Sequence, residues 1–173
     1  MPVTVHVIRT PPRHKRILWD QFHSISYPSG FFPHDDLNVN GDMLDWTGDH
    51  IFTNFKDAYM KLRSEGYFVE VLSSDFTCFD AYQYGALLLV DPEDDFFPEE
   101  VTKLEKDITE LGLSLVVMGD WYNVASIRDI SFFDDNTRSD WSAVTGGANI
   151  PALNELLAPY GIAFGYVDIF DVL

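Results

Sequence analysis

Apolar residues recur with the period of an amphipathic helix in three segments of the chain. The first covers about residues 51–65 and ends at Gly66, the second opens at Pro98 and ends at Gly112, and the third begins after Asn149. Glycine after a helix, and proline or asparagine at its start, are the usual boundary residues. The inward positions are Phe52, Phe55, Tyr59 and Leu62; then Val101, Leu104, Ile108 and Leu111; then Leu153, Leu156 and Leu157.

Shorter apolar runs between these helices predict strands. The predicted strands cover residues 17–25, 67–72, 86–90, 113–118 and 162–167. The run 86–90 is apolar without interruption, as in a strand buried on both faces of a parallel sheet. Strands that alternate with helices predict a three-layer α/β/α sandwich with a mostly parallel sheet, of the flavodoxin-like class.

Two segments lack a clear period. Residues 26–49 are rich in Pro, Gly, Asn and Asp and predict a long irregular loop. Residues 119–147 combine a short helical turn near 124–128 with an acidic loop at 134–136.

The start of the chain predicts a domain boundary. Val3, Val5 and Val7 alternate with polar residues, and Pro11 and Pro12 then lead into a basic run. We expect residues 1–16 to be the end of a preceding domain with a basic linker, and residues 17–173 to be one α/β domain.

The net charge of the chain disfavours some classes of binding partner. The chain has 173 residues and a net charge of -17 at pH 7, which disfavours nucleic acid and anionic membrane surfaces. No apolar run reaches the length of a membrane span. Cys78 is the only cysteine, so an internal disulfide is excluded. We expect Cys78 to be a small buried apolar residue.

Three aspartates, Asp75, Asp91 and Asp120, each follow a predicted strand. Ligands of open parallel sheets bind at the carboxyl ends of strands, so these side chains could form a cation or acid-base cluster. Aspartate is also a common residue for ending a strand, and we favour that reading.

A second acidic motif is Asp36, Asn38 and Asn40 followed by Gly41, which matches the first half of a calcium-binding EF-hand loop. Thr47 stands where the loop needs a bidentate glutamate. These three residues are therefore weak candidates for a divalent-cation-binding module, and no metal or other cofactor is expected.

Cys78, the single cysteine, could form a Cys-His nucleophile pair with His50, with Asp49 or Asp80 orienting the histidine. This would make a small amidase or hydrolase. The residues around Cys78 lack the glycines of a nucleophile elbow. The turn that begins at Gly119 offers Asp120 instead of a nucleophile.

Two more motifs each have a purely structural explanation as well as a functional one. The stretch 145–149, Thr-Gly-Gly-Ala-Asn, could bind an anion on free amide groups, although helix entry explains it better. Arg13, Lys15 and Arg16 form a run that basic-specific convertases could cleave, although an exposed linker is commoner.

The sequence also resembles the region after the protease domain in the membrane-bound transcription factor site-1 protease family of subtilisin-like proprotein convertases. The resemblance is carried by Pro11-Pro12-Arg13, Lys15-Arg16, Leu18-Trp19-Asp20-Gln21, Leu44-Asp45-Trp46, Gly48-Asp49-His50, Phe76-Thr77-Cys78-Phe79-Asp80-Ala81, Phe97-Pro98-Glu99-Glu100, Asp120-Trp121-Tyr122-Asn123, Asn136-Thr137-Arg138, and the runs 66–72 and 145–157.

The resemblance implies a class I glutamine amidotransferase-like sandwich and a non-catalytic role. The Asp-His-Ser triad of the family lies upstream, and no His-Gly-Thr or Gly-Thr-Ser-Met stretch occurs here, so no catalytic residue is carried over. The parent would be a single-span membrane protease of the endoplasmic reticulum and Golgi lumen. Expected partners are its own protease domain and a protein substrate or luminal regulator.

Overall fold

The computed structural model describes residues 3–4, 9–24, 51, 55–119, 131–135, 138–142 and 148–165. Its helices are α1 (Lys56–Ser64), α2 (Pro98–Thr109) and α3 (Ile150–Leu157). Its strands are β1 (Arg16–Asp20), β2 (Phe68–Leu72), β3 (Ala86–Val90), β4 (Ser114–Met118), β5 (Ser131–Asp134) and β6 (Ser139–Ser142). Single 3-10 turns cover Arg13–Lys15, Phe76–Cys78, Ala81–Gln83 and Ala158–Tyr160.

The first four strands form one parallel sheet in the order β2-β1-β3-β4. The chain moves outward from β1 to β2, then returns to the other side of β1 for β3 and β4. Right-handed crossovers in opposite directions place their connections on opposite faces of the sheet. This is the strand order of flavodoxin-like folds.

Apolar residues fill both faces of the sheet. On one face Trp19 and Leu88 pack with Phe55, which directly precedes α1, and with Leu62 of α1. On the other face the core includes residues of α2 and α3. Both β1 and β3 are buried on both sides, and for β3 the apolar run 86–90 predicted this burial. The predicted three-layer α/β/α architecture is confirmed.

Helix boundaries follow the predicted residues. Gly66 and Gly112 adopt φ angles of 81° and 66° after α1 and α2, a region that glycine enters without steric cost. The Asn149 side chain accepts a hydrogen bond from the Ala152 N–H at 3.2 Å and caps α3.

Two predicted strands are wrong in extent. β1 ends at Asp20, five residues early, because its carboxylate accepts the Phe22 N–H at 3.2 Å and turns the chain. Residues 162–165 are not a strand, because the Asn154 side chain binds the backbone of Phe164, accepting its N–H at 2.7 Å. Residues 166 and 167 lie outside the described residues.

The region 119–147 contains a hairpin that was not predicted. β5 and β6 pair antiparallel, with Phe132 opposite Trp141 and Asp134 opposite Ser139. The acidic residues at 134 and 135 therefore end a strand and begin a turn. The helical turn predicted near 124–128 lies outside the described residues.

The basic run before β1 packs against the domain. The Arg13 guanidinium donates to the carbonyls of Tyr84 at 2.8 Å and Leu111 at 2.7 Å. Gly85 makes room for this turn, since a Cβ there would lie 2.8 Å from the Arg13 carbonyl oxygen. The start of the domain proper at residue 17 stays a prediction, but β1 itself begins at Arg16, inside the predicted linker.

Candidate functional site

The carboxyl ends of β1 and β3 mark the point where the sheet connections diverge, the usual ligand position in such folds. β1 ends at Asp20, and a short turn carries His23 back beside it. The His23 carbonyl accepts the N–H groups of Glu93 at 2.8 Å and Asp94 at 3.0 Å, which follow β3. This end of the sheet therefore gathers acidic and imidazole groups from separate parts of the chain.

Three ionisable side chains meet here, and we call Asp20, His23 and Glu100 the carboxyl-end cluster. His23 Nδ1 lies 2.8 Å from Asp20 Oδ2, and His23 Nε2 lies 3.2 Å from Glu100 Oε1. Both ring nitrogens therefore face a carboxylate. This arrangement favours an imidazolium that donates one hydrogen bond to each side.

Glu100 comes from the first turn of α2 and binds more than the histidine. Its Oε1 accepts the Phe76 N–H at 2.7 Å. Its Oε2 accepts the Phe97 N–H at 2.8 Å. This second bond is one half of a capping box, in which a glutamate at the third helical position binds the N–H of the N-cap residue. Glu100 thus joins the start of α2 and the turn after β2 to β1 through His23.

Aromatic rings close the cluster. The His23 ring centroid lies 4.6 Å from both the Phe76 and Phe96 centroids and 5.0 Å from that of Phe22. The side chains of His23 and Glu100 are 0% exposed and that of Asp20 is 2% exposed. No substrate can reach a group with this degree of burial unless the domain opens.

Burial and charge control protonation within the cluster. Burial would lower the pKa of His23, but the hydrogen bond and charge of Asp20, followed by the charge of Glu100, raise it above its ordinary value. Burial raises the pKa of Asp20, more than its hydrogen bond to His23 lowers it. As a result of both shifts, Asp20 and His23 in the folded protein stay protonated to higher pH than the separate groups would.

The cluster resembles the acid-base part of a catalytic triad, but its histidine faces a carboxylate on both sides. A general base needs one free ring nitrogen aimed at a nucleophile or a water. Here the second nitrogen faces Glu100, and Phe76 and Phe96 cover the ring. The arrangement is suited to joining three elements of the fold rather than to moving protons for a substrate.

Comparison with known proteins assigns the family. Residues 11–171 match the family model described as "MBTPS1, fourth GATase-like domain". The chain belongs to this family. It is 61% identical over 165 residues to the subtilisin-like protease SBT6.1 of Arabidopsis thaliana. It is 58% identical over 164 residues to the membrane-bound transcription factor site-1 proteases of Mus musculus and Homo sapiens.

The coverage of these matches is unequal. They include 95% of this chain but only 16% of the length of each relative. The resemblance to site-1 proteases and the amidotransferase-like fold are both confirmed. Among the helices that the structure describes, none is long and apolar enough to cross a membrane.

Two of the three strand-end aspartates lie among the described residues of this GATase-like domain. Asp75 caps the 3-10 turn after β2 by accepting the Thr77 N–H at 2.9 Å. The hydrogen bond that Asp75 accepts from the Thr77 hydroxyl, followed by the one from the Thr77 N–H, lowers the pKa of Asp75. Asp91 is buried after β3, with a φ of 50°. Asp120 lies outside the described residues. Among the residues that the structure describes, no group of three or more His, Cys, Asp or Glu side chains is arranged so that it could hold a metal ion.

Asp91 shows where the strained turn of this sheet lies. A positive φ at a residue other than glycine is uncommon, and such strain is typical of nucleophile elbows. The residue with this backbone follows β3, at the divergence point, whereas the sequence directed attention to Asp120 after β4.

The prediction that Cys78 is buried is wrong. Its side chain is exposed, in the 3-10 turn after β2, and its thiol lies 3.6 Å from Asp75 Oδ2. The turn is held by the Asp75 cap rather than by packing of the sulfur. His50 lies outside the described residues, and the comparisons give the Cys78/His50 hydrolase no support.

Some of the other predicted site residues lie outside the described residues. Asp36, Asn38 and Asn40 are in this group, as are residues 145–147; the neighbouring Asn149 is a helix cap. Of the predicted processing site, Arg16 pairs with Glu70 at 2.8 Å, and Lys15 lies over the Tyr67 ring at 4.2 Å. Cleavage there would require this part of β1 to leave the sheet.

Sequence reasoning missed the carboxyl-end cluster. Glu100 was assigned only to a helix start, and Asp20 and His23 were included in a strand. The usable signals were the Asp-x-x-His spacing directly after an apolar strand and a glutamate at the third position of a helix. Neither signal reveals that the three side chains meet, because residues 23 and 100 are far apart in the chain.

Proposed function

We propose that this chain is a non-catalytic accessory domain of a longer subtilisin-like serine endopeptidase of the secretory pathway. The supporting observation is that nearly the whole chain matches one segment, 16% of the length, of proteins named as proteases. A segment of this size, placed in a family of GATase-like domains, is a domain within a larger protein.

The closed carboxyl-end cluster supports the non-catalytic part of the proposal. At the position where open α/β sheets bind ligands, the described residues present Asp20, His23 and Glu100, which satisfy one another and are covered by rings. An enzyme requires such groups to face a substrate. The proteolytic chemistry would then belong to another domain of the parent.

Two roles are consistent with an accessory domain, namely stabilising the protease domain and docking a protein substrate or luminal regulator. The expected location is the endoplasmic reticulum and Golgi lumen, within a single-span membrane protein. A surface with net charge -17 disfavours nucleic acid as a partner. Its expected primary partner is the protease domain of its own polypeptide.

Deletion of residues 11–171 from the full-length protein tests the proposal. If the domain stabilises the protease, deletion lowers the melting temperature and the cleavage of both peptide and protein substrates. If it docks substrates, peptide cleavage persists and protein cleavage falls. A deletion protein that folds and cleaves both substrates like the intact protein would contradict an accessory role.

A further inference from the structure

An open apolar groove lies on the face of the sheet that α1 only partly covers. It has a volume of about 960 Å³. Its floor includes Trp19 of β1, Leu88 of β3, and Val116 and Met118 of β4, and α1 contributes Leu62 to its wall. This position is separate from the carboxyl-end cluster.

None of the helices that the structure describes covers β4 on this face. Residues of α2 and α3 pack in the core on the opposite face. Within the described part of the chain, the packed apolar residues on the α1 face come from β1, β2, β3 and the α1 region, and none comes from β4. Val116 and Met118 are consequently 37% and 51% exposed.

The groove differs in charge from the rest of the molecule. Among the described residues, those that line it include the cations Arg13 and Lys61 and also His14, but no aspartate or glutamate, in a chain with 28 acidic residues. A solvated face of such a chain would be expected to carry carboxylates. An apolar patch without them is typical of a protein contact surface.

The chemistry of the lining favours a protein surface over a small molecule. Small-molecule sites combine an apolar pocket with a few polar groups that converge on the ligand. In this groove the central floor residues are Trp19, Leu88 and Val116, and the charged residues Arg13 and Lys61 come from the segments before β1 and in α1. Lys61 already pairs with Glu65 at 2.5 Å, and the Arg13 guanidinium donates to the Tyr84 and Leu111 carbonyls. Such a surface therefore suits an apolar ridge.

The chain enters the domain at this groove, since Arg13 and His14 form part of its lining. Anything that precedes Pro11 is thus tethered close to it, which gives a high effective concentration. The relatives are about six times longer than the matched segment, which is 16% of their length.

We propose that the groove docks an apolar surface of the domain that precedes residue 11 in the longer protein. This inference rests on the proposed function, because it requires a longer polypeptide.

Methionine footprinting of the full-length protein provides an internally controlled test. Met118 in the groove and Met60 on α1 outside it are both 51% exposed, so in an undocked domain they should be oxidised by peroxide at similar rates. Docking should slow the oxidation of Met118 at least about fivefold relative to Met60. Equal rates would overturn the proposal.

A matched pair of substitutions and a cross-link identify the occupant. Val116→Lys should restore rapid oxidation of Met118, whereas Val71→Lys, at a β2 position that is 38% exposed and outside the groove, should not. A photoreactive phenylalanine analogue at position 118 should cross-link within the same polypeptide, upstream of residue 11.

Cross-links to a second copy or to a different protein would overturn the proposal. These results are distinct from a failure of the proposed function. An open groove, together with a protease that is disabled by deletion of residues 11–171, would reject the docking surface and retain the accessory role.

Discussion

The carboxyl-end cluster and the apolar groove lie on the same sheet. The cluster buries charged groups, whereas the groove exposes apolar ones. At the cluster, the charged groups of Asp20, His23 and Glu100 are excluded from solvent. In the groove, the apolar side chains of Val116 and Met118 are in solvent. In an enzyme of this architecture we would expect polar groups to be open at the strand ends and apolar groups to be covered.

This reversal separates stability from recognition in the domain. Buried charges that satisfy one another mainly specify the arrangement of the elements that they join. Exposed apolar surface has a free-energy cost of about 25 cal/mol per Å² relative to burial, which a partner removes. The comparison therefore assigns the cluster to the fold and the groove to an interaction.

Glu100→Ala should have the largest effect, because it leaves His23 and the N–H groups of Phe76 and Phe97 without their partner. We expect a loss of about 3–5 kcal/mol in the free energy of unfolding, measured by denaturant titration. Glu99→Ala, at the exposed neighbouring position of the same helical turn, is the control and should change little. Similar effects of the two substitutions would show that the cluster is not important for stability.

Gly85→Ala should have the next largest effect. The new Cβ would meet the backbone of Arg13 and His14 at 2.8–3.0 Å, so the basic turn must shift, at a cost of about 1–3 kcal/mol. Limited trypsin digestion should then cut at Arg13–Arg16 faster than in the unmodified protein. Gly165→Ala, which has nothing within 4 Å of the new Cβ, is the control. Unchanged trypsin resistance in Gly85→Ala would contradict the packing of this run.

A smaller effect concerns pH. The raised pKa of His23 means that its stabilisation is complete below about pH 6.5, the ordinary value, and is lost as pH rises through the folded pKa. Because the folded state keeps a proton that the unfolded chain releases, stability should fall by up to about 1.4 kcal/mol per pH unit in that window. His23→Gln should remove this component of the slope, and His14→Gln should retain it. An unchanged slope in His23→Gln would contradict a charged histidine in the cluster.

The smallest expected effect is that of Cys78→Ser. The thiol is exposed and its turn is held by Asp75, so the free energy of unfolding should change by less than about 0.5 kcal/mol. In the folded protein the thiol should react fully with a maleimide. Protection of Cys78 from the reagent would show that this turn is covered.

Local features of the fold were predictable from the sequence, and long-range contacts were not. The strand 86–90 and the boundaries at Gly66 and Gly112 follow from periodicity and backbone sterics, which act over a few residues. The early end of β1 depends on Asp20 binding the backbone of its own turn, and a hydrophobicity pattern does not register this competition. The cluster and the groove depend on which elements the topology brings together.

The most direct test of the central comparison is proteolytic activity per correctly folded molecule of the full-length protein. Folded molecules are counted by size-exclusion chromatography and circular dichroism, and cleavage of a protein substrate is measured for His23→Gln, Val116→Lys and the control Val71→Lys. The account predicts that His23→Gln and Val71→Lys retain the activity per folded molecule and that Val116→Lys lowers it. Loss of activity in folded His23→Gln, with full activity in Val116→Lys, would contradict the account.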